Sequence, residues 1–430
     1  MVKIRYLSSL TDGERQALVS RYNLELEEVL PVVQSIVDDV RRRRDEAIID
    51  YTLKFDKVFI SKDKLRVSEE EINSAYKNVP EKLLKAINRS VVNIRKFHEK
   101  QINEFSCRTQ SGVNVSQIIR PLERVGIYVP GGRAAYPSTV LMTVVPAKLV
   151  DVEQVIVCTP PQEDGTINSA ILVACGEAGV TEIYKVGGAQ AIAAMAYGTE
   201  VIPKVEAIFG PGNIYVTAAK FLVSRNVRVD LPAGPSELLI ISDATGDPNF
   251  IAVDILSQAE HDPQAKVVLL TTSEVLAHKV ESSINKFLEL LPRKEILWES
   301  LENLWILVTR DLDEAVEFSN DYAPEHLEIH AKSPKSLLKK VKNAGAIFLG
   351  PYSPVAVGDY SAGSNHVLPT GGYAKAYSGL SSYNFVKTIS VIECSHAGLK
   401  GLAETVVTLA EFEGLYAHAE SIKARFKIEK

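Results

Sequence analysis

The sequence lacks several features that would assign it to a familiar class of protein. Its four cysteines, at positions 107, 158, 175 and 394, include no C-x-x-C pair, which argues against a zinc ribbon or a disulfide framework. A bound metal would therefore need nitrogen and oxygen ligands. No stretch approaches the run of about 18 apolar residues that a membrane helix needs, and the N-terminus has no apolar signal core. We expect a cytoplasmic protein with no membrane partner.

The sequence also lacks an excess of basic residues. Its net charge is -6, from 54 acidic and 48 basic residues, and the run "RRRR" at 41–44 has acidic residues on both sides. A nucleic-acid-binding domain would need a domain-wide positive charge, so we expect no nucleic-acid partner. Hydrophobic residues make up 46% of the chain, which is typical of a globular protein. A chain of 430 residues has room for about two or three domains.

After residue 110, short apolar runs alternate with helical segments. The clearest runs are "VIVCTP", "EIYKV", "EAIFG", "LLIISD", "KVVLLTT", "LWILVTR" and "AIFLG". This alternation predicts βαβ units and mostly parallel sheets. We therefore predict an α/β fold with two Rossmann-like parallel-sheet domains, at 111–235 and 236–380, with a seam near "DLPAGPSELLIISD". A helical N-terminal region, 1–110, packs partly on the first of them, and a helical C-terminal arm, 381–430, follows the second.

Several of the predicted strands end in glycine. The turns are "VPGGR" at 129–133, "VGGAQ" at 186–190 and "FGPGN" at 209–213. Glycine at the carboxyl end of a parallel strand can hold a ligand at the N-terminus of the next helix. None of the turns matches G-x-G-x-x-G with a following acidic residue, so a standard dinucleotide fingerprint is absent. Simple strand-to-helix connections explain the turns about as well.

Four of the eight histidines, His261, His326, His366 and His418, lie in polar, glycine-rich or acid-rich segments. Gln258 and His261 are three residues apart at a predicted helix end, so both can reach one ion. A polar helix terminus explains that segment more often than a metal site does. The remaining histidines, at 98, 278, 330 and 396, are expected at the surface.

Two further segments carry candidate side chains. Asp359 lies between glycines, where a functional carboxylate or an Asx turn would fit. Glu413 and His418 lie about 140° apart around a regular helix, so they would face different neighbours.

In "APEHLE" a carboxylate and an imidazole are adjacent, as Glu325 and His326. In a helix the two side chains diverge by about 100°, and in a strand they point to opposite faces. They would therefore act on different atoms. Imidazole can serve as an acid or a base near neutral pH, and a partly buried glutamate can activate water. The alternative is a helix N-terminus behind Pro324, with the glutamate near the positive end of the helix dipole.

Long blocks of the sequence resemble the histidinol dehydrogenase family in order and spacing. They are "GPGNIYVTAAK" (210–220), "DLPAGPSELLIISD" (230–243), "QAEHDPQAKVVLLT" (258–271), "DYAPEHLEI" (321–329), "GDYSAGSNHVLPTGG" (358–372) and "EGLYAHAES" (413–421). The resemblance implies oxidation of L-histidinol through L-histidinal to L-histidine, the final step of L-histidine biosynthesis. It also implies two NAD per reaction, one Zn²⁺ per subunit and a homodimer.

The resemblance also implies roles for particular residues. His326 would be the base and Glu325 would activate water, while Gln258, His261, Asp359 and His418 would hold zinc, with His418 completing the site of the other subunit. The implied substrate contacts are Ser236, Gln258, His261, His326, Asp359, His366, Glu413 and His418. The implied NAD contacts are Tyr128, Gln190 and Asn213. The chain departs from the family pattern at Val355 and Ser364, near Asp359. None of the implied catalytic or metal-binding positions is altered.

Two other functions remain open. A zinc hydrolase could use Glu325 as the base for its water, although the chain lacks an H-E-x-x-H helix. A non-catalytic metal-binding protein could share the fold, because fold alone does not fix function. The presence of every implied catalytic residue counts against the second possibility.

Overall fold

The computed structural model describes residues 3–21, 25–131, 135–180, 182–230 and 234–426. Its strands are β1 (Lys3–Tyr6), β2 (Phe105–Gln110), β3 (Val113–Pro121), β4 (Arg124–Tyr128), β5 (Gln154–Thr159), β6 (Glu182–Lys185), β7 (Ala207–Phe209), β8 (Arg228–Val229), β9 (Glu237–Ser242), β10 (Lys266–Thr271), β11 (Leu304–Val308), β12 (His326–His330), β13 (Ala346–Leu349) and β14 (Val386–Cys394).

Its α-helices are α1 (Asp12–Val19), α2 (Glu25–Arg43), α3 (Asp45–Phe55), α4 (Glu69–Asn78), α5 (Glu81–His98), α6 (Pro137–Leu149), α7 (Ser169–Ala178), α8 (Gly188–Tyr197), α9 (Ile214–Val223), α10 (Pro248–Ala259), α11 (Glu274–Leu288), α12 (Lys294–Ser300), α13 (Leu312–Tyr322), α14 (Pro334–Leu338), α15 (Val355–Tyr360), α16 (His396–Phe412) and α17 (Tyr416–Ala424). None of the described helices is long and apolar enough to cross a membrane.

The chain forms two compact units, and the larger one, Met1–Glu99 with Leu122–Phe385, contains two parallel sheets. One sheet has six strands in the order β1-β11-β10-β9-β12-β13, and the other has five in the order β6-β5-β4-β7-β8. Every neighbouring pair in both sheets is parallel. All seven predicted runs are strands of these sheets, so the predicted α/β fold is confirmed. Residues 231–233 of the predicted seam lie outside the described residues, and the predicted domain bounds stay a prediction.

Both sheets are covered by helices on their two faces. All six residues of β9, "ELLIIS", are buried, as expected for a continuous apolar run in a parallel sheet with both faces covered. On the five-stranded sheet, buried residues of α2, α3, α8 and α9 form one apolar cluster, and those of α4, α5, α6 and α7 form another. Helices α2 to α5 therefore pack on the five-stranded sheet, whereas β1 belongs to the six-stranded one and α1 packs against the core of that sheet.

The smaller unit, Lys100–Pro121 with Val386–Lys430, contains an antiparallel sheet and two helices. Its strand order is β14-β3-β2, and α16 and α17 follow β14. Eight of the nine residues of β14 are exposed. The exposed apolar side chains of this unit include Ile392, 69% exposed, and Phe412, 93% exposed.

Candidate active site

The predicted catalytic pair lies at the amino-terminal edge of the six-stranded sheet. Glu325 directly precedes β12, and His326 is the first residue of this strand, paired in register with Leu238 of β9. The preceding helix ends at Tyr322, and Ala323 adopts a left-handed conformation with φ +51°. The chain thereby turns directly into the strand. His326 therefore lies in a strand and Glu325 in the bend before it, so the alternative of a helix N-terminus is wrong.

The ring of His326 has one nitrogen engaged by the main chain and one nitrogen free. Nδ1 lies 3.0 Å from the main-chain O of Glu237, and because a carbonyl only accepts, Nδ1 carries the proton of the neutral ring. Nε2 is buried and has no hydrogen-bond partner among the described residues. Burial lowers the pKa of His326 to about 4, while the bond to Glu237 raises it and the nearby His261 and His366 lower it. The ring is therefore neutral at physiological pH, and Nε2 can act as a base.

The side chain of Glu325 also bonds to the main chain of Glu237. Its Oε2 accepts a hydrogen bond of 2.8 Å from the main-chain N–H of Glu237 and lies 3.5 Å from Nδ1 of His326. Since Nδ1 donates to the Glu237 carbonyl, the two side chains do not form a hydrogen-bonded dyad. Burial raises the pKa of Glu325 well above its usual value, the Glu237 N–H lowers it, and the carboxylates of Glu237 and Asp359 raise it. A carboxyl group in such surroundings can exchange a proton with water nearer neutral pH than an exposed one does.

Three of the four predicted metal ligands belong to the unit that holds the catalytic pair. Gln258 lies in the last turn of α10, which ends at Ala259, so His261 lies in the following turn and not on the helix. The two residues remain one turn apart, since the N–H of His261 donates to the main-chain O of Gln258 at 3.3 Å. Asp359 lies in α15, with its Oδ1 3.8 Å from Nε2 of His326.

The predicted substrate contacts of this unit lie close by. Nδ1 of His366 donates to the main-chain O of Asp359 at 3.0 Å, and Ser236 directly precedes β9 and is half-buried. Because His261 and His366 both influence the pKa of His326, the structure brings these three histidines and Asp359 together. Val355, where the chain departs from the family pattern, begins α15 and is buried.

The side chains around His326 fit a divalent cation. Both amide atoms of Gln258 are buried and have no hydrogen-bond partner among the described residues, and leaving such a group unpaired costs about 1–3 kcal/mol. Burial raises the pKa of Asp359 to about 7, so a nearby cation would stabilise its carboxylate form. A set of amide oxygen, imidazole nitrogen and carboxylate oxygen suits zinc.

The predicted NAD contacts lie at the carboxyl edge of the five-stranded sheet, where parallel α/β sheets bind their ligands. Tyr128 ends β4, and its hydroxyl accepts a hydrogen bond of 3.1 Å from the N–H of Gly188. Asn213 follows β7, and its side chain caps the first turn of α9. Gln190 follows β6 in the first turn of α8 and is buried, with no hydrogen-bond partner for Oε1 among the described residues. Gly210 has φ +116°, and a Cβ there would lie 2.0 Å from the Tyr128 carbonyl, so this turn requires glycine.

A cavity opens at the same edge. Its volume is about 650 Å³, and Gly131 after β4, Pro160 after β5 and Asn168 at the start of α7 line it. This volume lies within the range of roughly 300–1,000 Å³ that is typical of small-molecule and cofactor sites. Residues 132 and 133 of the "VPGGR" turn lie outside the described residues.

Two predicted residues belong to the smaller unit. Glu413 caps the C-terminus of α16, His418 lies in α17, and both are exposed. A single chain does not test whether His418 reaches the site of another subunit, so this role stays a prediction.

The structure also contains a buried polar group that the sequence did not predict. Nε2 of His330 lies 3.2 Å from Oε2 of Glu328 and 3.8 Å from Oδ2 of Asp254. Burial and, to a smaller extent, the neighbouring Glu328 raise the pKa of Asp254 to about 8. A proton shared among the three side chains can therefore provide their hydrogen bonds. The expectation that His330 and His98 lie at the surface is wrong, since both are buried. The alternation of polar residues at 326, 328 and 330 is the signal that could have revealed a strand with one buried polar face.

The fold and the site together define a class of protein. Parallel sheets with glycine turns beside a cavity of about 650 Å³, and a buried neutral imidazole beside nitrogen and oxygen side chains that could hold a metal, are the features of an α/β dehydrogenase. The family model for histidinol dehydrogenase matches residues 19–426. The chain belongs to the histidinol dehydrogenase family.

Named relatives and solved structures agree with this assignment. The histidinol dehydrogenase of Methanocaldococcus jannaschii is 49% identical over 426 residues, covering 99% of both chains, and that of Bacillus thuringiensis subsp. konkukian is 51% identical over 95% of both. The crystal structure of histidinol dehydrogenase from Elizabethkingia anophelis superposes with a TM-score of 0.94 at 40% identity, covering 99% of this chain and 98% of that one. An indole-3-acetaldehyde dehydrogenase structure, at 14% identity and a TM-score of 0.50 over 85% of this chain and 88% of that one, shares the fold alone.

Proposed function

We propose that this chain oxidises L-histidinol through L-histidinal to L-histidine, with two NAD per reaction, as the final step of L-histidine biosynthesis. The observation that carries the proposal is the buried, unprotonated Nε2 of His326, which lies 3.8 Å from the carboxylate of Asp359. Membership of the histidinol dehydrogenase family supports the substrate.

In the first oxidation, His326 is the base. Its Nε2 takes the hydroxyl proton of histidinol while the hydride on the same carbon leaves for the first NAD. The bond from Nδ1 to the main-chain O of Glu237 stabilises the imidazolium that forms, because both ring nitrogens then donate. The proton passes to solvent before the second oxidation.

In the second oxidation, Glu325 and His326 act in turn. Glu325 takes a proton from water while the water oxygen adds to the aldehyde carbon of histidinal, and it then returns this proton to the former aldehyde oxygen, which gives the hydrate and restores the carboxylate. The resulting hydrate loses its hydride to the second NAD, and Nε2 of His326 takes the hydroxyl proton, which leaves the carboxylic acid of histidine. The two side chains bond to different main-chain groups of Glu237, Glu325 to its N–H and His326 to its carbonyl, which suits this division between water activation and alcohol deprotonation.

One zinc ion per subunit would be held by Gln258, His261 and Asp359 together with His418 of the partner subunit. When bound, the ion would fix the substrate and polarise its oxygen. Of the remaining substrate contacts, Ser236 and His366 would orient the substrate, and Glu413 would pair with its cationic amine. Tyr128, Gln190 and Asn213 would contact NAD.

The proposed homodimer is supported by the surface of the smaller unit. Exposed apolar side chains there, including Ile392 and Phe412, are of the kind that subunit interfaces cover. Glu413 and His418 lie in the same part of the chain, close in sequence to Phe412. A cytoplasmic location stays a prediction.

The test is turnover by the zinc-loaded protein. With L-histidinol, the absorbance of reduced nicotinamide should rise, two NADH should form per histidine, and removal of zinc should abolish the reaction. An intact, zinc-loaded dimer without histidinol-dependent NAD reduction would refute the proposal. Cofactor-independent turnover of an ester or amide would favour the hydrolase instead.

A further inference from the structure

A buried ion pair, Arg21–Glu237, lies next to the proposed catalytic residues. The guanidinium of Arg21 donates to both carboxylate oxygens of Glu237, from Nε at 2.7 Å and from Nη2 at 2.9 Å. The side chains are 2% and 3% exposed, so the pair is almost completely desolvated. Bidentate pairs of this kind fix the relative orientation of the two groups as well as their distance.

The same guanidinium also fixes the chain just before the catalytic residues. Nη2 of Arg21 donates to the main-chain O of Tyr322 at 2.8 Å, and the guanidinium carbon lies 3.4 Å from the centre of the Tyr322 ring. Tyr322 is three residues before Glu325, and the intervening Ala323 has φ +51°. This arginine therefore contacts the turn that leads into the catalytic pair.

The main chain of Glu237 makes the complementary contacts. Its N–H donates to Oε2 of Glu325, and its carbonyl accepts from Nδ1 of His326. We propose that Arg21 is a positioning residue, which holds Glu237 and Tyr322 in register so that one main-chain residue orients both Glu325 and His326. The inference rests on the proposed function of that pair.

The contacts of this side chain require the planar guanidinium of an arginine, with its several N–H donors. Besides its bonds to Glu237 and Tyr322, Arg21 donates from Nη1 to the main-chain O of Leu18 at 3.3 Å and of Val19 at 3.2 Å. A lysine ammonium keeps the charge but is a single donor centre, so it cannot reach the carboxylate, the Tyr322 carbonyl and the end of α1 together. Arg21→Lys thus separates positioning from charge neutralisation.

The experiment compares Arg21→Lys with wild type and with a matched control, Arg5→Lys. Arg5 also pairs with a glutamate of α1, Glu14, at 2.6 Å, and it does not belong to the proposed machinery. For Arg21→Lys we expect a kcat about 10- to 100-fold lower per zinc-loaded subunit, with little change in the KM for histidinol or NAD. Oxidation of added L-histidinal should slow by a similar factor, since both catalytic residues lose their alignment. Arg5→Lys should match wild type in both reactions.

A second variant, Glu237→Gln, tests the other partner of the ion pair. The amide keeps the size of the side chain and removes the negative charge that pairs with Arg21. We expect kcat to fall in this variant too, again with little change in KM. A lower melting temperature with unchanged kcat per zinc-loaded subunit in Arg21→Lys and Glu237→Gln would overturn the inference and leave a purely structural ion pair. Absence of histidinol oxidation in wild type would instead refute the proposed function.

Discussion

Replacing Glu325 with glutamine should separate the two oxidations. The amide oxygen of glutamine can still accept the 2.8 Å hydrogen bond from the N–H of Glu237, so the local structure should persist. The side chain can no longer take a proton from water. His326 keeps its bond to the Glu237 carbonyl and its free Nε2, so the first hydride transfer, which needs only that base, should continue.

The size of the effect follows from the loss of one general base. Such a group contributes about 10²–10⁴-fold to a rate, which corresponds to about 3–5 kcal/mol of activation free energy. Oxidation of L-histidinal should therefore slow by that factor in Glu325→Gln, whereas oxidation of L-histidinol to L-histidinal should slow much less. Stability should not fall, because burial already raises the pKa of Glu325 and the amide resembles the protonated acid.

The sign of this stability effect depends on pH. The folded-state pKa of Glu325 lies above its ordinary value of 4.5, so its contribution to stability is complete below pH 4.5 and is lost as the pH rises towards the folded-state pKa. Glu325→Gln should therefore melt at the same or a higher temperature than wild type at neutral pH.

The assay measures NADH, histidine and trapped aldehyde from a known amount of histidinol. Wild type should give two NADH per histidinol, and the variant should approach one NADH in the early phase, with the aldehyde recovered by a carbonyl reagent. Two NADH per histidinol at the wild-type rate in Glu325→Gln would refute the role of Glu325 in water activation.

Three further predictions concern the same site. His326→Asn should slow both oxidations by about 10²–10⁴-fold while the protein stays folded and zinc-loaded, and the exposed His278 of α11 supplies a control, His278→Asn, with unchanged kinetics; wild-type turnover by His326→Asn would contradict the assignment. Gln258→Met should weaken zinc binding, measured by competition with a chelator, without lowering the melting temperature of the metal-free protein, since it removes two unpaired buried polar atoms; unchanged zinc affinity would exclude Gln258 as a ligand. The folded-state pKa of Asp359 is about 7, against an ordinary value of 3.8, so its contribution to the stability of the metal-free protein should be complete below about pH 3.8 and lost as the pH rises through about 7. Melting temperatures of metal-free Asp359→Asn should lose this part of the pH dependence, and identical pH profiles would show that the carboxyl group is not buried as described.

The sheets could be predicted from the sequence because their strands are apolar. Seven runs such as "LLIISD" and "KVVLLTT" carry the continuous hydrophobicity of strands covered on both faces, and all seven lie in the two parallel sheets. β12 was not among the seven predicted runs because it reads "HLEIH", with polar residues at every second position. Its polar face is buried against Asp254 and not exposed to solvent, and only the three-dimensional structure supplies that partner.

The site could be predicted only in part for a related reason. A histidine or carboxylate in a polar segment is visible in the sequence, and this signal found His326, Asp359 and His366. Residues that act through their main chain leave no such signal. Glu237 orients the catalytic pair through its N–H and carbonyl, and its partner Arg21 is 216 residues away in the chain.

The predicted NAD contacts and the proposed catalytic pair lie at the edges of two different sheets. The predicted NAD contacts lie at the carboxyl edge of the five-stranded sheet, whereas the catalytic pair lies at the amino edge of the six-stranded sheet. Partial burial raises the pKa of Tyr360, and the nearby groups of Asp359, Glu260 and Tyr136 raise it further. Because Tyr136 directly precedes α6, the start of this helix lies near the segments of the predicted metal ligands. The side chain of Asn365 donates to the main-chain O of Met142 in α6 at 2.6 Å, which ties the loop after Asp359 to the same helix. Because the proposed base and the predicted NAD contacts belong to different sheets, we expect hydride transfer to depend on how these connections align the two sites.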